Sequence, residues 1–302
     1  MKLYYFKDPS MNFGDDLNPW LWNRELPGLF DDDDSSLFVG IGTLLNHRIP
    51  RCGKKYVFGS GLGYGALPDI DADWQFICVR GPLTAKELNL PPALAVVDPA
   101  VLINRHFPFA EIGKTVGVAF MPHCLSAELG DWAEVCEIAG IEYIDPRQSV
   151  EAVMQQLAGA ELLLAEAMHG AIAAEAFRIP WVPVVCHDHI ATFKWDDWCE
   201  SLQMEYRPES IQPVFRGDTN PAVTTRLKNR IKRILLDSGI WSSQWAEPPM
   251  RRSSHAAVEK AAAKLLSAAE SGRPMLSRDR VFFAKLERLE YLLENFRKTF
   301  SP

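Results

Sequence analysis

The feature that most constrains the fold of this chain is a regular alternation of apolar runs and helical patterns that begins at Thr115. Short apolar runs at 115–120, 141–144, 161–165 and 181–186 predict strands. The segments between them, 127–139, 149–157 with Ser149 as its N-cap, and 171–177, have helical spacing. Strands and helices that alternate at this spacing form a parallel sheet covered on both faces, so the sequence predicts an α/β fold.

The first hundred residues repeat this pattern less regularly. Predicted strands cover 3–6, 37–41, 56–58 and 76–80. An apolar run then ends at Arg105-His106-Phe107-Pro108, where charge and proline intervene. We therefore predict two α/β halves, over residues 1–108 and 109–243, followed by a tail over 244–302.

Composition excludes several classes of protein. The 302 residues are 47% hydrophobic and 24% charged, as in a globular chain of two medium domains. The net charge of -7 argues against nucleic acid, and against an anionic membrane surface, as a partner of the chain as a whole. No signal-peptide pattern is present and no apolar stretch approaches the ~20 residues that span a bilayer, so we expect a cytoplasmic protein. Six scattered cysteines without a CxxC pair predict reduced thiols.

The tail is richer in basic than in acidic residues from Arg251 onward. A helix is predicted over 281–300 by the spacing of six apolar residues: Phe282, Leu286, Leu289, Leu292, Leu293 and Phe296. This face packs on the core of the chain, on a second subunit in a homo-oligomer, or on a membrane surface as a basic amphipathic helix.

Arg80-Gly81-Pro82 joins a predicted strand to a helix, with Pro82 suited to the first helical position. Backbone N–H groups at the helix start and the guanidinium of Arg80 would together hold a phosphate or carboxylate. The alternative is that Arg80 pairs with a neighbouring acid.

His169-Gly170 has the equivalent position in the second half, after the strand at 161–165. Ligands of open α/β sheets bind at the carboxyl ends of the strands, and a histidine there can move a proton near neutral pH. Gly170 would let a ligand approach the backbone. We therefore predict a functional role for His169, with a structural histidine as the alternative.

Three further segments follow predicted strands. Asn12-Phe13-Gly14-Asp15-Asp16 suits either sugar hydroxyls or a helix cap. The segment 59–65 is rich in glycine but lacks the P-loop spacing and lysine. Lys194 follows the last strand and could reach the same cleft as Arg80 and His169. The histidines of Cys186-His187-Asp188-His189 lack the spacing of zinc ligands, so we predict no metal site.

Taken in order, six short motifs resemble the polysaccharide pyruvyl transferase family over roughly residues 2–206: Asn12-x-Gly14-Asp15, Gly59-Ser60-Gly61, Val79-Arg80-Gly81-Pro82, Asp98-Pro99, Met168-His169-Gly170-Ala171 and Phe177-x-Ile179-Pro180. The stretch 194–202 is similar to the exopolysaccharide members that form ketals. The resemblance implies two Rossmann-like domains that face a cleft, as in B-type glycosyltransferases, with a helical C-terminal tail.

The resemblance also implies the chemistry: phosphoenolpyruvate as co-substrate, a sugar diol of a surface polysaccharide or its lipid-linked precursor as acceptor, and no metal or other cofactor. Arg80 and His169 match the donor-binding motifs of the family. Ala167 stands where the family commonly has arginine, and Lys194 or Arg178 are the candidate replacements. Glu166 adds a negative charge without a role in the family pattern.

The resulting hypothesis gives each candidate residue a role. His169 protonates the donor or assists phosphate departure, and Asp15 is the base for the acceptor hydroxyl. The donor-binding candidates are Arg80, Lys194, Gly170 and Pro82, and the acceptor-binding candidates are Asn12, Gly14, Asp16, Ser60 and Gly61. Two alternatives stay open: a nucleotide-sugar glycosyltransferase of the same architecture and a non-catalytic glycan-binding assembly subunit.

Overall fold

The computed structural model describes residues 1–7, 9–51, 53–238 and 247–300, and in this part of the chain the strands form two parallel sheets. The first sheet has the order β1-β2-β3-β4 and comprises β1 (Lys2–Tyr4), β2 (Ser36–Val39), β3 (Lys54–Phe58) and β4 (Trp74–Cys78). The second has the order β6-β5-β7-β8-β9 and comprises β5 (Val116–Met121), β6 (Glu142–Tyr143), β7 (Ala160–Ala165), β8 (Trp181–Val185) and β9 (Glu209–Ser210).

Helices connect these strands and cover the sheets. The α-helices are α1 (Phe13–Glu25), α2 (Pro82–Glu87), α3 (Cys124–Leu129), α4 (Trp132–Ala139), α5 (Val150–Ala158), α6 (Met168–Ala176), α7 (Thr192–Ser201), α8 (Val223–Asp237), α9 (His255–Ser271) and α10 (Asp279–Phe300). Short 3-10 helices span Pro92–Leu94, Pro99–Arg105 and Phe109–Glu111. The predicted α/β class is confirmed.

Strand burial follows from the layered arrangement. Leu163, Leu164 and Ala165 at the end of β7 are fully buried, although successive side chains of a strand point to opposite faces. Continuous burial of this kind is expected of a parallel sheet with helices on both faces. The carboxyl ends of β5 and β7 therefore stop at a rigid, apolar edge on which polar side chains can be placed.

The helix predicted over 127–139 is wrong, because the segment forms α3 and α4 with a break at Gly130. Gly130 has an extended backbone, with φ −110° and ψ 162°, and its carbonyl accepts hydrogen bonds from Arg216. By contrast, the predicted cap at Ser149 is confirmed, since its Oγ accepts from the backbone N–H of Ala152 at 3.3 Å.

Helix α1 links the two sheets. The backbone N–H of Phe13 donates to Pro146 O at 2.9 Å, and Trp20 Nε1 donates to Glu151 Oε1 at 2.5 Å on α5. At its other side, the buried Asn18 exchanges two hydrogen bonds with the backbone of Ile41, beyond β2. The loop before α1 is thus held against the carboxyl ends of strands from both sheets.

Helix α10 packs on the first sheet of its own chain. Phe296 contacts the rings of Phe38 and Phe58, at centroid distances of 5.4 and 6.3 Å. Arg297 binds the buried carboxylate of Glu25. The predicted apolar face is therefore covered by the chain's own core, and the alternatives of a membrane or a second subunit on this face are wrong.

Residues 244–246 and 301–302 of the predicted tail lie outside the described residues, as does Cys52. The other five cysteines are free thiols: Cys78, Cys124, Cys136, Cys186 and Cys199. Across the described ranges, no helix combines the length and apolar character that crossing a membrane requires.

Candidate active site

A cavity of about 720 Å³ lies at the carboxyl ends of strands from both sheets. Its walls come from segments that follow β1, β2, β5, β6 and β7, and from α7. Ligands of open α/β sheets bind at this edge, so the cavity is the candidate active site.

The structure brings five of the predicted site residues together in this cavity and leaves six outside its lining. Those in the lining are Asn12, Gly14, Asp15, His169 and Lys194. Those outside it are Asp16, Ser60, Gly61, Arg80, Pro82 and Gly170.

His169 lies in the first turn of α6, between Gly14 and Asp98. A Cβ atom on Gly14 would lie 2.2 Å from His169 Nδ1, so only glycine leaves room for the ring. The other ring nitrogen, Nε2, is buried 3.8 Å from Asp98 Oδ2. Neither of these two atoms has a hydrogen-bond partner in the described part of the chain. The imidazole therefore stands between the cavity wall and a buried carboxylate.

The surroundings of this pair set its charge. Burial, with the nearby positive charges of Lys194 and Arg80, lowers the pKa of His169 to about 3. Burial also raises the pKa of Asp98 to about 6, against the opposing effects of the Ala100 N–H and Arg80. At neutral pH the imidazole is neutral and the carboxylate is charged. An anion in the cavity would offset the positive charges and raise the pKa of His169.

Arg80 is fully buried, and its guanidinium is engaged on every nitrogen. Nε donates to Asp197 Oδ2 at 3.0 Å, Nη1 to Thr43 Oγ1 at 2.9 Å and Nη2 to Leu62 O at 2.5 Å. The prediction that Arg80 holds an anionic ligand directly does not match this geometry. The alternative, that Arg80 pairs with an acid of the chain, describes the arrangement present.

The start of α2 does bind an anion, but the anion is the side chain of Asp197. Its Oδ1 accepts from the Thr84 N–H at 2.9 Å, and its Oδ2 accepts from Thr84 Oγ1 at 2.7 Å. Pro82 is in the first turn of this helix, as predicted, and contributes no contact to the cavity. The predicted anion site is thus occupied from within the fold.

Ser60 and Gly61 pack against the network formed by Arg80, Thr43 and Asp197. Ser60 Oγ donates to Gly42 O at 2.9 Å and accepts from the Leu44 N–H, which fixes the loop that carries Thr43. A Cβ atom on Gly61 would lie 2.4 Å from Arg80 Cζ. Both residues are therefore packing positions rather than contacts for a sugar.

Two more predicted contacts have structural explanations. Asp16 Oδ2 accepts from the Asn12 N–H at 3.1 Å, while the Asn12 side chain caps α1 by accepting from the Gly14 N–H. Gly170 is buried against β5, where a Cβ atom would lie 2.6 Å from Met121 Sδ. Close helix–strand packing, rather than approach of a ligand, requires glycine at 170.

Lys194 reaches the cavity from α7. The side chain is largely buried, and Nζ donates to Tyr64 Oη at 2.8 Å and lies 5.2 Å from the centre of the Tyr64 ring. Tyr64 itself lines the cavity. A glycine-rich loop of the first half therefore orients the lysine of the second.

The position of Ala167 is relevant to the candidate replacements for the family arginine. Ala167 lines the cavity, and so does Lys194. Arg178 does not: its guanidinium binds Glu175, Ser277 and Asp279 beyond the far end of α6. Arg178 is thus excluded as a replacement in this geometry, whereas Lys194 is compatible with the role.

Glu166 has a structural role that the sequence did not reveal. Its carboxylate accepts from the His123 N–H at 3.0 Å and from the Cys186 N–H at 2.7 Å, so it ties the ends of β5 and β8 together. Burial raises its pKa, and hydrogen bonds from Ser126 and these backbone groups oppose the increase.

Other cations of the cavity were missed by the sequence. Lys7, Arg48 and Arg147 line it, and Arg147 also forms two side-chain hydrogen bonds to Asp145, at 2.8 and 2.6 Å. The sequence did contain a clue to Arg147, because Asp145-Pro146-Arg147 directly follows the predicted strand at 141–144. Arg48 precedes an Ile-Pro loop, and nothing in its local sequence indicated a place in the cavity.

Three histidines, one of which lines the cavity, form a cluster of neighbouring rings. The rings of His123 and His189 are 4.9 Å apart, and those of His187 and His189 are 5.6 Å apart. Burial is the main cause that lowers the pKa of His123 to about 3 and that of His187 to about 4. Within the described ranges, no three His, Cys, Asp or Glu side chains converge as metal ligands.

Comparisons with known proteins identify a family and a relative to which the chain is similar. The family model of polysaccharide pyruvyl transferase matches residues 4–188. The chain is 35% identical, over 316 aligned residues, to the succinoglycan biosynthesis protein ExoV of Rhizobium meliloti (strain 1021), and the alignment covers 99% of this chain and 100% of that protein. No solved structure matches significantly. Asp98 and His169 fall within the region matched by the family model, and Lys194 lies beyond it.

Proposed function

The chain belongs to the polysaccharide pyruvyl transferase family, and from this premise we propose that it transfers the pyruvyl group of phosphoenolpyruvate to a sugar diol in exopolysaccharide synthesis. The product is a pyruvate ketal, and phosphate is released. One observation carries the proposal: His169, paired with a buried Asp98, faces a cavity whose walls include four basic side chains: Lys7, Arg48, Arg147 and Lys194.

The charge of the cavity favours an anionic donor. Its lining contains these four basic side chains and two carboxylates, Asp15 and Glu128. Phosphoenolpyruvate carries a phosphate and a carboxylate, so it needs cations at two separated points. Lys194 binds one of these groups and Arg147 the other. Arg80 acts as a positioning residue, because its ion pair with Asp197 fixes the helix that carries Lys194.

The proton transfers assigned to the cavity balance as follows. His169, charged once the donor is bound, gives a proton to the methylene carbon of phosphoenolpyruvate, and its C2 becomes electrophilic. An acceptor hydroxyl forms a C–O bond at C2 and gives its proton to Asp15. The C–O bond to phosphate then breaks with its electron pair, and a second hydroxyl adds to C2 as its proton leaves with the phosphate. Asp15 finally releases its proton to solvent and His169 takes one up from solvent when the next donor binds, so both residues regain their starting states. The ketal carries both sugar oxygens.

Aromatic residues of the same cavity suit the sugar. Tyr5 and Phe6, which follow β1, line the cavity together with Asn12 and Asp15, and Tyr64 lines it as well. Aromatic faces pack on the apolar face of a pyranose, while amide and carboxylate groups bind its hydroxyls. We assign this side to the acceptor, with Asn12 and Asp15 as polar contacts, while Gly14 makes room for the His169 ring. Asp16, Ser60 and Gly61 lie outside the cavity lining, so we assign them no contact with the acceptor.

We further propose that the two halves, over 1–108 and 109–243, are arranged as in B-type glycosyltransferases, with 244–302 as an appended helical tail. Support comes from the cavity, whose lining combines the carboxyl ends of strands from both sheets. The reaction as written needs no metal and no cofactor besides the co-substrate. A cytoplasmic location suits this donor, which is a metabolite of that compartment.

The experiment measures phosphate release from phosphoenolpyruvate with aryl glycosides of galactose, glucose and mannose as acceptors, and identifies the ketal by mass spectrometry. Calorimetry with phosphoenolpyruvate and with a panel of nucleotide sugars runs beside it. We expect donor binding, and phosphate release that His169→Gln reduces by about 10²–10⁴-fold. Binding of a nucleotide sugar without binding of phosphoenolpyruvate would indicate a glycosyltransferase, and glycan binding without any turnover would indicate an assembly subunit.

A further inference from the structure

The helix α8 presents an apolar stripe to solvent. Val223, Leu227, Ile231 and Ile234 are 67, 59, 51 and 58% exposed, and no residue of the helix is buried. An α-helix turns about 100° per residue, so these four side chains fall within an arc of roughly 80°. The stripe is therefore a continuous face of aliphatic side chains without cover from the described part of the chain.

Basic side chains flank this stripe. Arg226 and Arg230 lie along one side and Lys228 on the other, and all three are exposed. Arg226 makes one long contact, at 3.4 Å, to the backbone of Asn220, which leaves most of its guanidinium directed to solvent. This concentration of positive charge contrasts with the net charge of -7 of the whole chain. The face is both apolar and cationic.

Side chains outside the stripe connect α8 to the segments that precede and follow it. Arg233 donates to the carbonyls of Pro248 and Pro249 at 2.6 Å, and Asn229 donates to Asp218 at 2.9 Å. These contacts leave the stripe exposed, whereas α10 directs its own apolar face into the core.

We propose that this face of α8 docks the protein on an anionic lipid surface. Aliphatic side chains of an amphipathic helix insert at the boundary of the acyl chains, and flanking basic side chains bind anionic headgroups. Charge decides against a second copy of the chain as the occupant, because two α8 faces would bring their arginines and lysines together. Docking would bring the chain to the surface that carries lipid-linked glycans, a consequence that rests on the proposed function.

The test is co-sedimentation of the full chain with phosphatidylcholine vesicles that contain or lack phosphatidylglycerol. We expect binding only to the anionic vesicles, weakened by salt because exposed charges are screened. Arg226→Gln with Arg230→Gln should lower the partition coefficient by roughly 30-fold. Leu227→Asp with Ile231→Asp should abolish binding.

Matched controls come from α9, which carries exposed residues of the same types. Lys260→Gln with Lys264→Gln, and Leu266→Asp, should leave vesicle binding unchanged. Thermal unfolding of each variant verifies that it folds. The proposal is overturned if the protein does not bind anionic vesicles, or if the α9 variants lose as much binding as the α8 variants. It is also overturned if the α8 variants instead change the molar mass measured by light scattering, because the stripe would then be a contact between copies of the chain.

Discussion

Arg80 Nε lies 3.0 Å from Asp197 Oδ2, and both side chains are fully buried. The two residues are 117 positions apart and join the end of the first sheet to α7. Lys194 stands one helical turn before Asp197, on the same side of α7. The buried ion pair therefore fixes where Lys194 enters the cavity, although neither of its members lines that cavity.

Asp197→Asn should destabilise the fold. The substitution leaves the buried guanidinium of Arg80 without a counter-charge, which lowers the free energy of unfolding by roughly 3–5 kcal/mol. Urea denaturation measures the change. The control is Asp196→Asn, because Asp196 is exposed, and its effect should stay within about 0.5 kcal/mol. Equal stability of both variants would mean that Arg80 does not depend on this partner.

Gly14→Ala should inactivate the protein without unfolding it. The added methyl group would lie 2.2 Å from His169 Nδ1, so the ring must move. Displacement of a catalytic group by about 1 Å can cost roughly 10²-fold in kcat. Gly117→Ala, with open space around its Cβ, is the control that should keep full activity. Unchanged kcat in Gly14→Ala would contradict the role of His169 at this wall.

Asp98→Asn tests Asp98 as a positioning residue. Without the buried carboxylate the imidazolium form of His169 loses its nearby counter-charge, so the pKa of His169 in the donor complex should fall. We expect the alkaline limb of the kcat–pH profile to shift to lower pH and kcat at neutral pH to decrease, because less of His169 is protonated there, while the Kd of phosphoenolpyruvate stays nearly constant. A profile that keeps its shape would assign Asp98 to packing alone.

Lys194→Met should weaken donor binding. Hydrogen bonds to charged groups contribute about 1.5–3 kcal/mol, which corresponds to a rise of roughly 10–150-fold in the Kd of phosphoenolpyruvate. Calorimetry measures it. Lys260→Met, on the exposed side of α9, serves as the control and should bind the donor normally. If the Lys194 variant also binds normally, another cation of the cavity holds the donor.

Acid should destabilise the protein through its buried histidines. Their folded pKa values of about 3 for His123 and His169 and about 4 for His187 lie below the ordinary value of 6.5, so the unfolded chain binds more protons, and stability falls as pH drops below 6.5. The pKa of Asp98, raised to about 6, acts in the opposite direction between pH 3.8 and 6. Near pH 5, unfolding lets the three histidines take up about three protons in total and makes Asp98 release about one. The net uptake from these groups is therefore about two protons.

His123→Asn isolates one member of this set. His123 caps α3 by accepting from the Leu125 N–H, and asparagine can replace that cap but cannot titrate. Denaturation across pH 4.5–8 should show about one proton fewer taken up, with stability retained at pH 8. An unchanged acid limb would remove His123 from the explanation.

Patterns within short segments predicted much of the fold. The alternation after Thr115, the cap at Ser149 and the apolar spacing of α10 all depend on residues a few positions apart, so they could be interpreted before any tertiary contact was known. His169 and Lys194 were also placed at the correct edge, because the carboxyl ends of parallel strands share one edge of a sheet.

The sequence by itself therefore determined the α/β class, the family and the edge at which the cavity forms. Only the tertiary structure decided which charges face that cavity. Arg80, which stood beside a helix start like an anion-binding residue, is neutralised by Asp197, and Asp98 emerged as the neighbour of His169. The physical reason is that periodicity and capping are local interactions, whereas the pairing and burial of a charge depend on partners that folding brings from distant parts of the chain.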